Sequence, residues 1–146
     1  MRGLSGTRLL KLPVRLHGIE LGRPTDIVVD ADARRAVGIA LLCGDHVERF
    51  LPFGAAAVSD DEILVDSALA VIDDPRFYLD RGHTLRALRG ASVTRKGKDE
   101  GRLVDVVVGT DGSLVGLVVD LGTGPRRVEV TDDVVVAVAA AARPAA

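Results

Sequence analysis

The chain has 146 residues, of which 47% are hydrophobic, 27% charged and 3% aromatic, so its core must come from Val, Leu, Ile and Ala rather than from rings. A net charge of −2 supplies no global attraction to nucleic acid or an anionic membrane, and Cys43, the only cysteine, excludes an intramolecular disulfide or a thiolate zinc cluster within one chain. No apolar run approaches the ~20 residues that cross a bilayer, and no long apolar segment stands behind the charged N-terminus, so a soluble, cytoplasmic protein without a membrane span is expected.

In chain order, strands are expected at 13–17, 24–30, 36–42, 47–53 and 62–66, short runs rich in Val and Ile and bounded by Gly or Asp. Asp30-Ala31-Asp32-Ala33-Arg34 reads as the turn between the second and third. Ser67–Ile72 admits a turn or two of helix, which Pro75 ends, and Thr84–Leu88 admits another with Thr84 as its cap. Strands then recur at 91–95, 102–109, 114–121, 126–130 and 134–138. Thr110-Asp111-Gly112-Ser113 reads as a tight two-residue hairpin, because Asp-Gly supplies positive φ. Gly122-Thr123-Gly124-Pro125 has the glycines of a phosphate-cradling loop but neither its Lys-Ser/Thr pair nor the following helix, and is read as a hairpin turn.

Self-similarity organises these elements. Gly22-Arg23-Pro24-Thr25-Asp26-Ile27-Val28-Val29 is echoed 79 positions later by Gly101-Arg102-Leu103-Val104-Asp105-Val106-Val107-Val108. At the same offset Val14 meets Val93, Gly18 meets Gly97 and Asp32 meets Asp111. After one deletion Val37-Gly38-Ile39 meets Val115-Gly116-Leu117, and after a longer gap Asp60-Asp61-Glu62-Ile63-Leu64-Val65 meets Asp132-Asp133-Val134-Val135-Val136. The second copy is shorter where the first carries Phe53-Gly54-Ala55-Ala56-Ala57-Val58, so its sheet is expected to have a less covered edge or groove. The division predicted is repeat 1 at 1–72, a linker at 73–83, a shortened repeat 2 at 84–140 and an Ala-rich tail at 141–146.

Each repeat resembles a PRC-barrel domain, the small β-barrel also found in the photosynthetic reaction-centre H subunit and in a ribosome maturation factor. The resemblance rests on Gly22, Asp26-Ile27-Val28-Val29-Asp30, Val37-Gly38, Leu51-Pro52-Phe53 and Asp60–Asp66 in the first copy. In the second it rests on Gly101, Asp105-Val106-Val107-Val108, Val115-Gly116 and Asp132–Val136, without the Leu-Pro-Phe segment. It implies an all-β protein of two small tandem barrels from an internal duplication, with one or two short helical turns. The implied function is a non-enzymatic binding or adaptor module working through protein–protein or small-ligand contacts, with an unidentified protein partner or a homodimer and no cofactor.

The residues carry little chemistry beside this. Asp26 and Asp105 are equivalent acids among apolar strand residues, expected as structural acceptors that lock hairpins rather than as catalysts, since no base or nucleophile repeats beside them. Asp30, Asp32 and Asp111 lack the twelve-residue calcium pattern, His17, His46 and His83 lack metal-ligand spacing, and no serine has a nucleophile-elbow context. No catalytic or metal site is therefore expected. Cys43 reads as a buried small hydrophobe, and Phe77-Tyr78 as packing for the linker. From Arg81 to Lys98 the chain has Arg81, Arg86, Arg89, Arg95, Lys96 and Lys98 and no acid; from Ser59 to Asp74 it has Asp60, Asp61, Glu62, Asp66, Asp73 and Asp74 and no base. The basic stretch is a candidate surface for an anionic partner, the alternative function being an RNA- or ribosome-associated factor, and the opposed blocks are expected to face one another where the repeats or two subunits dock.

Overall fold

The computed structural model describes residues 3–74 and 76–137. It opens with the strand β1 (Leu4–Ser5) and the helical turn α1 (Gly6–Leu9), then forms a meander of β2 (Val14–Leu16), β3 (Ile19–Asp30), β4 (Arg35–Cys43) and β5 (Glu48–Pro52). A 3-10 turn at Phe53–Ala55 leads to the hairpin β6 (Ala56–Val58) and β7 (Ile63–Val65). After a second 3-10 turn at Ala68–Ala70 and the turn α2 (Arg76–Leu79), the order begins again with β8 (His83–Thr84) and α3 (Leu85–Leu88). A second meander follows, made of β9 (Ser92–Arg95), β10 (Lys98–Val108), β11 (Leu114–Asp120) and β12 (Pro125–Glu129), and β13 (Val134–Val136) closes the described chain. The molecule is mostly β, folded as two curled, barrel-like sheets.

Local chemistry explains most of these elements. His17-Gly18 and Lys96-Gly97 have φ of 49° and 82°, and of 52° and 76°, the two positive values that a two-residue hairpin with the strands' own twist demands. They join β2 to β3 and β9 to β10. Asp30 accepts the N–H groups of Asp32 and Ala33, and Asp120 those of Gly122 and Gly124, which closes the β3–β4 and β11–β12 turns. The β10–β11 connection is longer than the two-residue hairpin expected: residues 109–113 lie outside the strands, with Gly109 N–H donating to Ser113 O at 2.8 Å and Asp111 accepting from Ser113. Ser5 and Thr84 cap α1 and α3 by accepting from Arg8 N–H and Ala87 N–H, and Ser67 caps the 3-10 turn that follows β7.

One sheet runs β5-β4-β3-β2-β7-β6 and the other β12-β11-β10-β9-β13. Each also takes a strand from the opposite end of the chain. β1 pairs with β10, Leu4 opposite Val108 and Ser5 opposite Val107; β8 pairs with β3, His83 opposite Val29 and Thr84 opposite Val28. Every residue of the second pairing lies 79 positions from its counterpart in the first. Where the hairpin tips meet, Ala36 N–H donates to Gly112 O at 2.7 Å, Leu114 N–H donates to Arg34 O at 2.9 Å, and Arg35 bridges Ser113. A continuous aliphatic core runs through both halves, including Leu9, Ile27, Val29, Leu85, Leu88 and Val106.

Several expectations are revised. The segment 73–83 is not a plain linker: it contains α2 and supplies His83 to β8, so the boundary drawn at 84 falls inside a strand. The offset of 79 also reaches further back than Val14, to Gly3 and Gly82, Ser5 and Thr84, and Leu9 and Leu88. A Cβ on Gly3 would stand 2.9 Å from Val108 O and one on Gly82 2.5 Å from Val29 O, so both strands cross tightly at matching places. The later match, Asp60–Val65 with Asp132–Val136, holds for position but not direction. β7 lies parallel to β2, whereas β13 lies antiparallel to β9, because the second half lacks the reversal between β6 and β7. The tail 141–146 and the end of the strand expected at 134–138 lie outside the described residues.

Candidate functional site

The missing reversal leaves a space. In both sheets a glycine of the central strand faces the edge strand, Gly38 opposite Pro52 and Gly116 opposite Glu129, so the next residues, Phe53 and Val130, are counterparts. Phe53 is 3% exposed, its ring against the tip of the β10–β11 hairpin, where a Cβ on Gly112 would come within 2.9 Å of Cδ1. The counterpart of Gly112 in the β3–β4 hairpin is Arg34, as the paired hydrogen bonds across the tips require. Among the described residues no ring stands around Val130 and Arg34, and they leave a cleft of about 150 Å³. Val106, Leu114 and Leu117 from the sheet, Leu88 from α3 and Val134 from β13 line its apolar part; Asp32 and Arg34 are its charged members. Arg34 adopts φ 55° and is held by Asp132, Nη1 to Oδ1 at 3.3 Å and Nη2 to the carbonyl oxygen at 3.0 Å.

Asp26 and Asp105 stand at matching irregularities of β3 and β10, just after register shifts that begin at Pro24 and Leu103. Neither serves only its own hairpin. Asp105, 7% exposed, accepts Val106 N–H at 2.8 Å on Oδ1, and Thr7 N–H at 3.2 Å and Thr7 Oγ1 at 2.7 Å on Oδ2. Asp26 Oδ1 accepts Ile27 N–H at 2.8 Å and Arg86 N–H at 3.4 Å. Thr7 and Arg86 again lie 79 apart, so each acid holds the first turn of a helix from the other end of the chain, and orphaned helical N–H groups find an anionic acceptor.

The basic residues of the stretch 81–98 have different surroundings. Arg81 lies over the Phe77 ring at 4.3 Å. Arg86 is exposed on α3, and Arg89 donates to Val104 O and Thr7 Oγ1. Arg95 donates to Glu129 O, Lys96 pairs with Asp133 at 3.8 Å, and Lys98 is exposed at the start of β10. The acidic stretch finds other cations: Arg8 donates to Asp60 O, and Glu62, Asp73 and Asp74 pair with Arg15, Arg49 and Arg76. The halves dock through aliphatic side chains, backbone hydrogen bonds and polar contacts such as Arg34–Asp132 and Thr7–Asp105, none of which joins the basic stretch 81–98 to the acidic stretch 59–74. Of the linker aromatics Tyr78 packs, stacking on buried Phe50 with centroids 4.5 Å apart, whereas Phe77 is exposed and meets the edge of Tyr78 and Arg81.

A second, shallower cleft lies beside Cys43, which is buried, with Asp45, Arg49 and Asp73. Hydrogen bonds from the Arg49 guanidinium, then from Val47 N–H, lower the Asp45 carboxyl to about 2. Arg49 is already taken up by the exposed carboxylates of Asp45 and Asp73, which makes this a self-paired surface ion cluster. Glu100 is likewise held below the usual carboxylate range, first by its hydrogen bond from Arg126. No helix among the described residues is long and apolar enough to cross a membrane. Sequence reasoning anticipated a groove in the second half but missed Arg34 and Val130, whose only signal was their alignment with Gly112 and Phe53. Neither a family model nor a curated protein matches the chain.

Proposed function

We propose that the chain is a non-enzymatic binding module: two PRC-barrel-like units, descended from an internal duplication and fused into one body, with the cleft at Val130 as ligand site. The duplication is supported by pairings that recur 79 residues apart in both sheets, including the reciprocal clasps of Asp105 with Thr7 and Asp26 with Arg86. Both acids are occupied, Asp26 by two backbone N–H groups and Asp105 by two backbone N–H groups and the Thr7 hydroxyl, which favours a structural role over a catalytic one.

The observation that carries the reading is the cleft itself. It is concave, apolar in most of its lining and edged by a small number of polar groups, the composition of small-molecule sites, and it exists where the other half of the same chain fills the space with Phe53. The test is methyl NMR on protein labelled at Val and Leu, titrated with a panel of uncharged apolar molecules of five to eight carbons. Binders are expected to shift the methyls of Val106, Leu114 and Val134, and Val130→Phe is expected to abolish those shifts. A panel with no effect on these methyls, or shifts unchanged in Val130→Phe, overturns the proposal.

A further inference from the structure

Resting on the binding-module reading, we infer that the cleft is shaped for one benzene-sized aromatic ring, whose polar substituent points to its charged rim at Arg34 and Asp32. Three observations converge on an aromatic rather than an aliphatic occupant. The volume, about 150 Å³, is that of an apolar cavity which stays dry and accepts benzene. The matching space in the first half is filled by a phenyl ring, that of Phe53, resting on the opposing hairpin tip. Where that tip carries Gly112, the cleft carries the Arg34 guanidinium, and a cation beside an apolar slot favours a π face over a saturated ring.

Arg34 also explains why the site needs no buried charge partner from the ligand. Asp132 already compensates the guanidinium, so an uncharged ring loses no ion pair on entry. A carboxylate would lie near Asp32, which lines the same cleft, and beside an Arg34 whose charge Asp132 already balances. A neutral hydroxyl, by contrast, can accept from Arg34 and donate to Asp32 at the rim of the cleft. The ligand class is therefore a small neutral aromatic, of the kind represented by benzyl alcohol.

The experiment compares benzyl alcohol with cyclohexylmethanol, which has the same carbon count and hydroxyl but no π face, by methyl NMR on the intact chain and on Arg34→Gly. Glycine stands at the matching tip and adopts positive φ freely, so the variant removes the cation without backbone strain. Benzyl alcohol is expected to bind the native protein about threefold or more tighter than cyclohexylmethanol, the fold-change given by a cation–π contact of ~0.5–1 kcal/mol or more, with upfield ring-current shifts at the cleft methyls. In Arg34→Gly the ratio is expected to fall towards one. Equal or tighter binding of cyclohexylmethanol to the native protein overturns the aromatic assignment while leaving the cleft a binding site; no response to either compound or to the wider panel removes both. If Arg34→Gly does not fold, Val130→Phe decides: its own ring is expected to exclude benzyl alcohol, and undiminished binding overturns the inference.

Discussion

Replacing Asp105 by Asn tests whether the two ends of the chain are clasped as described. The change keeps Oδ1, so the bond from Val106 N–H at 2.8 Å survives, but it turns Oδ2 into an NH2 facing Thr7 N–H and Oγ1, 3.2 and 2.7 Å away. The hydroxyl can rotate and accept; the backbone N–H cannot, and loses a charge-assisted bond worth ~1.5–3 kcal/mol. A cost of about 2–3 kcal/mol follows, or a Tm lowered by roughly 4–10 °C for a chain of this length. Asp26→Asn is the internal control: both its donors reach Oδ1, one of them at 3.4 Å, so an amide oxygen retains them and the expected cost is under about 1 kcal/mol. Urea unfolding of the two variants measures the difference between the clasps directly. Equal losses at the two acids refute the reasoning.

The paired glycines give a second asymmetry. A Cβ on Gly38 would meet Phe50 Cζ at 2.2 Å and Leu51 O at 2.5 Å, whereas one on Gly116 would meet only the flexible Arg127 side chain, at 2.8 Å; Gly38→Ala is expected to cost about 1–3 kcal/mol and Gly116→Ala well under half of that, by thermal unfolding. For Asp45 the folded value of about 2 lies below the ordinary 3.8, so its contribution to stability is complete above about pH 4 and is lost as the pH falls towards 2. Asp45→Asn is expected to flatten the Tm profile in that window, and an unaltered slope contradicts the Arg49 pairing. Arg86→Glu combined with Arg89→Glu is expected to leave the sedimentation coefficient unchanged at low and high salt, since among the described residues neither arginine forms an ion pair and the shared core is aliphatic; a salt-dependent change would restore a role for these charges in docking.

Much of the local architecture was legible because it depends on neighbours in sequence. Val and Ile runs between Gly and Asp marked the strands, Thr84 marked a cap, Asp30 and Gly122 marked turns, and Gly22 with Asp26 repeated as Gly101 with Asp105. Such features are decided within a few residues by φ preference, side-chain alternation and hydrogen bonds to nearby N–H groups. The exchange of β1 and β8 was not legible, because a two-residue strand has no period and its choice of partner, about a hundred residues away in the case of Leu4 and Val108, is made by tertiary packing. Nor was strand direction, since Val134-Val135-Val136 presents the same apolar edge whichever way it runs. The shorter second segment suggested that something would be uncovered, but only the fold decided what: without a β6–β7 reversal β13 runs against β9 in the opposite sense, and Val130 follows its edge strand as Phe53 follows β5, beside a cleft at Arg34 among the described residues. A sequence records which side chains are present, and the volume between them is settled only when distant segments have packed.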